Sequence, residues 1–119
     1  METYHEYADV TMDQLLDRLE VILDEIVHPE YEVEYSSGVL TLKLGDKGTY
    51  VINKQPPNKQ IWLSSPVSGP KRYDYIPEED SWVYLRDGHQ MGELLEHELS
   101  SALDRRVNLG LERISDLLD

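Results

Sequence analysis

Between Glu32 and Leu85, apolar and polar residues alternate in six runs of four to seven residues, separated by breaks of only three to six. A parallel crossover needs a dozen or more residues, so runs joined this tightly can only be antiparallel neighbours. The alternation also assigns faces, because successive side chains on a strand point to opposite sides. Glu32–Tyr35 turns at Ser37-Gly38 into Val39–Leu44, whose Leu40, Leu42 and Leu44 face the core. A hairpin loop at Gly45–Gly48 leads to Thr49–Gln55, with Tyr50 and Ile52 inward and Val51, Asn53 and Gln55 outward. Pro56-Pro57-Asn58 turns the chain into Gln60–Ser65. Pro66–Pro70 reads as a loop, and Arg72–Tyr75 and Trp82–Leu85 as two further strands around the acidic turn Pro77–Ser81.

Helices flank this block. Tyr4, Ala8, Met12, Leu15, Leu19, Ile22 and Ile26 recur at three and four residues, the stripe of an amphipathic helix that His28-Pro29 ends. Leu94, Leu95, Leu99, Ala102 and Leu103 mark a second helix over Met91–Leu103, weakly capped because Gln90 and Gly92 stand where a cap and a good helix former belong. Leu109, Leu111, Ile114, Leu117 and Leu118 form a tail able to cover a groove in the core. The expected fold is α+β: an antiparallel β-sheet with two helices on one face, in helix–strands–helix order. At 119 residues the chain fits one domain, with residues 1–27 an acidic helix, 32–86 the sheet, 90–106 the second helix and 108–119 the tail.

The inward side of the fourth run takes Ile61 and Leu63, which leaves Trp62 outside with Gln60 and Ser64. A large aromatic there gains little from folding unless something covers it, so Trp62 reads as a contact for a partner, as part of a strand buried on both sides, or as one of the scattered apolar residues of an ordinary surface. Trp82 and Tyr84 are assigned to the core, where their bulk substitutes for the absent phenylalanine.

Charge is divided along the chain. Of the net −13, residues 1–42 hold eleven acids against one base, Arg18, whereas Lys43–Tyr73 carries six bases against Asp46 alone. Such polarity suits a cation or basic partner at one end and an acidic partner at the other. No cysteine is present, which excludes disulfides, thiolate catalysis and thiolate metal ligation. No apolar run reaches the roughly 20 residues of a membrane span, and the start lacks the character of a transit peptide, so any presequence is expected to be gone already.

His5, Asp9, Asp13, Asp17, Glu20 and Asp24 step by four, four, four, three and four, which puts them on one ridge of the first helix. A solvated acidic face is the plain reading. As a ligand surface, carboxylates with one imidazole suit Fe(II), Mn(II) or Ca(II), held weakly because a ridge does not converge, with Glu30, Glu32 and Glu34 adding to it if the first strand lies alongside. His89, Glu93 and His97 also step by four, read first as surface residues without a ligand.

The run GTYVINKQPPNKQIWLSSPVSGPKRYDY from Gly48 to Tyr75, together with YHEYAD near the start, SGVLTLKL at Ser37–Leu44, WVYLRDG at Trp82–Gly88 and the leucine pattern of the second helix, resembles the frataxin family, the eukaryotic type in particular. The resemblance covers about Tyr4 to Asn108. It implies a mitochondrial matrix protein that binds Fe(II) weakly and docks on the cysteine desulfurase–scaffold complex to accelerate sulfur transfer during iron–sulfur cluster assembly. By position, His5, Asp9, Asp13, Asp17, Glu20, Asp24, Glu30 and Glu32 would form the iron region. Asn53, Lys54, Gln55, Lys59, Gln60, Trp62 and Arg72 would form the partner-binding surface. It implies a monomer, with iron-dependent oligomers as the alternative. The competing enzymatic reading is a ferroxidase that oxidises and stores iron; against it, no Glu-x-x-His lies on an inward helix face as a di-iron centre requires. An acidic domain for calcium or a basic protein is the third class.

Overall fold

Helix α1 (Glu2–Ile26) forms because its apolar stripe has a sheet to cover: Tyr4, Ala8, Met12, Leu15, Leu19 and Ile22 are buried together with Thr11. In the computed structural model, which describes residues 2–118, the helix stops one residue before His28-Pro29. Val27 takes φ 54°, left-handed backbone that a β-branched side chain resists, while its N–H still bonds to the Leu23 carbonyl at 3.0 Å.

Seven strands follow as one antiparallel sheet in sequence order: β1 (Tyr31–Ser36), β2 (Val39–Leu44), β3 (Thr49–Gln55), β4 (Gln60–Ser65), β5 (Gly69–Ile76), β6 (Ser81–Tyr84) and β7 (His89–Gln90). Helix α2 (Met91–Leu103) closes the order. The inward positions of the alternation, Leu40, Leu42, Leu44, Tyr50, Ile52, Ile61, Leu63, Tyr73 and Trp82, join the buried faces of both helices in one core. Two polar groups cross it with partners: the Trp82 indole donates to Thr11 Oγ1 at 2.8 Å, and the Tyr50 hydroxyl to Glu98 Oε1 at 2.8 Å. Both helices therefore lie on one face, leaving the other without a helical cover.

Three features depart from the sequence reading. β5 starts at Gly69 rather than Arg72, because the preceding turn is tightened by Ser65, whose Oγ accepts the N–H groups of Val67 and Ser68 at 3.0 Å. The two-residue β7 was not legible, being too short for any periodicity. Val83 is as buried as Trp82, although the register puts it on the opposite face beside Asp74 and Gln90, so β6 is apolar on both sides.

The tail does cover the core. Leu109, Leu111 and Ile114 are buried, and Asp80 anchors the 3-10 turn Ile114–Leu117: its carbonyl accepts from Ile114 N at 2.8 Å and its carboxylate from the Ser115 amide at 2.9 Å. Gln90 makes no capping bond to α2, as its side chain suggested. Gly92 has a packing reason instead. A Cβ there would lie 3.0 Å from the Cβ of Leu111, so the glycine lets the tail close over the helix.

Candidate functional site

The residues singled out from the sequence fall mainly on two surfaces, and α1 touches both. On the helix-free face, the register aligns Asn53 of β3, Trp62 of β4 and Arg72 of β5 in one row across the sheet, with Val39 of β2 continuing it. Trp62 is half-buried rather than bare. Its indole N–H donates to Gln60 Oε1 at 2.9 Å, and the Arg72 guanidinium carbon stands 4.8 Å from the ring centroid, within cation–π range. Gln60 in turn donates to both carboxylate oxygens of Asp74 at 3.3 Å. The ring is thus oriented from within the chain, and its N–H is already used.

The first turn of α1 fixes the next outer row toward the β3–β4 turn, Gln55 paired with Gln60. The Tyr4 hydroxyl donates to the Gln60 carbonyl at 2.7 Å and accepts the Gln55 N–H at 3.0 Å, clamping the tips of β3 and β4. Burial, then the charges of Asp9 and Tyr35 against the opposing bond from Gln55, leave that hydroxyl harder to ionise than an ordinary tyrosine. Lys59 supplies the left-handed residue, φ 53°, that ends the Pro56–Asn58 turn.

Lys54 does not belong with its neighbours. It shares strand parity with Tyr50 and Ile52, which places it on the helix side, where its Nζ meets Asp9 Oδ1 at 2.5 Å. Of the seven residues expected on the partner surface, Asn53, Gln55, Gln60, Trp62 and Arg72 share the outer face, Lys59 sits in the turn at its end, and Lys54 faces the acidic helix.

Along α1, Asp9, Asp13, Asp17, Glu20 and Asp24 are exposed and His5 is half-buried. β1 does lie beside the helix. Glu20, Asp24 and Glu32 line one open groove with Leu23, Tyr31 and Val33. The Tyr35 hydroxyl is pushed above its ordinary pKa by burial and then by the charges of Asp9 and Asp13, the mark of an aromatic set against the ridge. Glu30 goes elsewhere, with its carboxylate against Gly45 in the β2–β3 turn. Arg18 does not relieve the ridge, since it donates to the Asn108 carbonyl at 3.2 Å. Among the described residues, no three His, Asp or Glu side chains come close enough together to hold an ion. The donor chemistry fits a hard or borderline cation, and the geometry fits one that keeps most of its water.

His89, Glu93 and His97 line a shallow hollow with Leu94 and Glu98, and His89 Nδ1 lies 3.7 Å from Asp87 Oδ2. Glu98 at its floor is buried and held by hydrogen bonds from Tyr50 and Ser65. A second hollow, lined by Gln60, Pro70, Lys71, Arg72, Asp74, Tyr84, Leu85 and Arg86, was not foreseen. It depends on where β5 and β6 stop pairing, which no local pattern announces.

A family model described as a frataxin-like domain matches residues 1–105. The chain is 49% identical over 104 residues to the mitochondrial frataxin homolog of Schizosaccharomyces pombe, covering 87% of this chain and 66% of that protein. It is 50% identical over 107 residues to the mitochondrial frataxin homolog of Saccharomyces cerevisiae, covering 88% and 59%. The chain thus spans about three-fifths to two-thirds of the length of these curated relatives. Among solved structures, trimeric frataxin from S. cerevisiae complexed with ferrous iron superposes with a TM-score of 0.73 at 50% identity, over 85% of this chain and 88% of that one. A bacterial frataxin from Psychromonas ingrahamii, 23% identical, shares the fold with a TM-score of 0.67 over 89% of this chain and 96% of that one. With this helix–sheet–helix fold and identities near one half over most of its length, the chain belongs to the frataxin family.

Proposed function

We propose that this chain is an iron-binding accessory protein of mitochondrial iron–sulfur cluster assembly. It docks on the cysteine desulfurase–scaffold complex through the outer sheet face and carries Fe(II) weakly on the α1 ridge. The observation that carries the docking reading is the Asn53–Trp62–Arg72 row: a large aromatic oriented by Gln60 and Arg72, on a face with no helix over it. Exposed aromatics that become covered are where interface energy concentrates. The iron reading is supported by the exposed carboxylates of Asp13, Asp17, Glu20 and Asp24 and by the ferrous complex of the yeast relative. The mitochondrial setting is supported by the names of the relatives. Lacking cysteine, the chain has no thiolate to hold a cluster, which suits an accessory to a scaffold that does.

The test is desulfurase turnover with the scaffold present, with and without this protein and with and without Fe(II). Acceleration that Trp62→Ala removes is expected. Unchanged turnover on adding the wild-type chain would overturn the reading.

A further inference from the structure

The sheet splits between β5 and β6. Along β5, only Asp74, Tyr75 and Ile76 pair with β6, the last pair toward the open end being Asp74 with Val83. Gly69, Pro70, Lys71 and Arg72 pair with β4 on one side and have no strand on the other. Beyond Val83 the chain leaves β5, pairing Tyr84 with His89 and turning at Asp87-Gly88. The hollow noted above opens in this fork, about 550 Å³ between Pro70–Arg72 on one side and Tyr84–Arg86 on the other. A Cβ on Gly69 would meet nothing within 4 Å, so the edge is unobstructed at its start.

Strand edges of this kind are usually blunted or covered, because they present unpaired backbone groups. Here Pro70, which has no N–H to offer, and Lys71 blunt the edge only in part, and the fork beside it is marked by chemistry. Leu85 is 64% exposed at its mouth, and Lys71, Arg72 and Arg86 line it against the single carboxylate of Asp74, in a chain of net charge −13. Among the described residues none of these three cations forms an ion pair. Lys71 reaches the Ser68 carbonyl, and Arg72 lies over Trp62.

We propose that the β5 edge at Gly69–Arg72 is a docking site for an extended, acidic segment of a protein partner, which adds to the sheet as a strand and lays an apolar side chain against Leu85. Backbone pairing supplies the affinity in such strand addition, and alternate side chains supply the choice of sequence. Acidic residues at alternate positions of the added strand would meet Arg72 on the outer face, while Lys71, paired with Leu63 on the inner face, and Arg86 add longer-range attraction. This rests on the docking reading above and extends it, since Arg72 belongs to both the Trp62 row and the fork.

The experiment uses the full isotope-labelled chain and a capped heptapeptide of alternating glutamate and valine. Amide shifts are expected to be confined to Gly69–Arg72 and Tyr84–Arg86. The double variant Leu85→Asp/Arg86→Glu should weaken binding tenfold or more, and methylating alternate backbone nitrogens of the peptide should do the same. Lys43→Glu, which removes a cation elsewhere on the sheet, should change it less than twofold. Shifts centred elsewhere, no binding at millimolar peptide, equal binding of the N-methylated peptide, or equal loss in Lys43→Glu would each overturn the proposal. The readout needs no desulfurase, so a failure here is separable from a failure of Trp62→Ala to affect turnover.

Discussion

Lys54 Nζ lies 2.5 Å from Asp9 Oδ1, and this one ion pair ties the sheet to the acidic helix. The lysine side chain is only 15% exposed, the aspartate 54%. A cation arriving on the ridge therefore finds Asp9 already partnered and Asp13, Asp17, Glu20 and Asp24 without that competition.

Lys54→Met should leave stability within about 1 kcal/mol, because the half-exposed Asp9 carboxylate can be taken up by water and the apolar side chain keeps the lysine stem's packing. It should strengthen Mn(II) or Fe(II) binding beside Asp9 a few-fold, since one unit charge at contact distance is worth about 1 kcal/mol in water. Paramagnetic broadening of the Asp9, Asp13, Asp17 and Glu20 amides is the measurement. Equal broadening at Glu112 or Asp116 would show plain attraction to acidity and sink the assignment.

The two tryptophans should respond in opposite ways. Trp82 is 2% exposed and bonded to Thr11, so Trp82→Ala opens a cavity and should cost roughly 3–5 kcal/mol. Trp62→Ala removes a half-covered ring and its contact with Arg72, a loss of about 1–2 kcal/mol from strand propensity and cation–π attraction. Complex binding should instead fall by about 2 kcal/mol or more for Trp62→Ala. Chemical denaturation and a pull-down on the desulfurase–scaffold complex separate the two effects, and a Trp62→Ala chain that unfolds would refute the surface reading.

Acid should act through two carboxylates. Burial opposes ionisation of Glu98, but bonds from Ser68, Ser65 and Tyr50 and the charge of Lys71 outweigh it and hold the carboxyl below its ordinary value. Asp80 is likewise lowered: burial opposes ionisation, while Ser115, Tyr75 and Arg113 overcome it. A folded pKa below the unfolded one means stability present above about pH 4–4.5 and lost as pH falls through the folded value. Glu98→Gln and Asp80→Asn should each lower stability at pH 7 and flatten the decline below about pH 4.5. Denaturation midpoints from pH 2 to 7 check this. An undiminished acid decline in both variants would place the responsible groups elsewhere.

Much of this fold was readable because its signals are local. Alternation in VLTLKL and TYVINKQ fixed both strands and their inward faces, and the three–four spacing of α1 fixed its buried stripe. What escaped depends on pairing across the chain. Val83 looks exposed by strand parity yet is covered, and the fork beside Leu85 arises only because β6 leaves β5. Lys54 was legible in principle, since its parity with Ile52 already placed it on the helix side. The ridge was visible as a spacing; that Lys54 closes on Asp9 while Arg18 turns away to Asn108 required the tertiary structure.

Gly92→Ala separates the two levels. Helix propensity alone predicts a gain of up to about 1 kcal/mol. The structure predicts a loss, because the new Cβ would meet the Leu111 Cβ at 3.0 Å, and a Cβ cannot swing aside without moving the tail backbone. We expect net destabilisation of about 1 kcal/mol, within the usual cost of overpacking. In a Leu111→Gly background the same change should become neutral or stabilising, and a double-mutant cycle without that coupling would refute the packing explanation.

The ridge itself carries a cost in stability. Asp13 and Asp17 stand one turn apart, both exposed, and like charges at that spacing destabilise a helix by a few tenths of a kcal/mol per pair. Asp24 adds a further charge near the C-terminal end of α1, where the helix dipole disfavours it. Asp13→Asn/Asp17→Asn should therefore raise the melting temperature, and the gain should shrink as salt rises toward 1 M, where screening reaches about 3 Å. Asp9→Asn should behave differently, because it gives up the Lys54 contact along with the repulsion, leaving stability nearly unchanged. Thermal melts of the three proteins at low and high salt make the comparison. If the double variant melts lower than wild type, these carboxylates are structural, and the idea of a ridge kept at a stability cost for a cation fails.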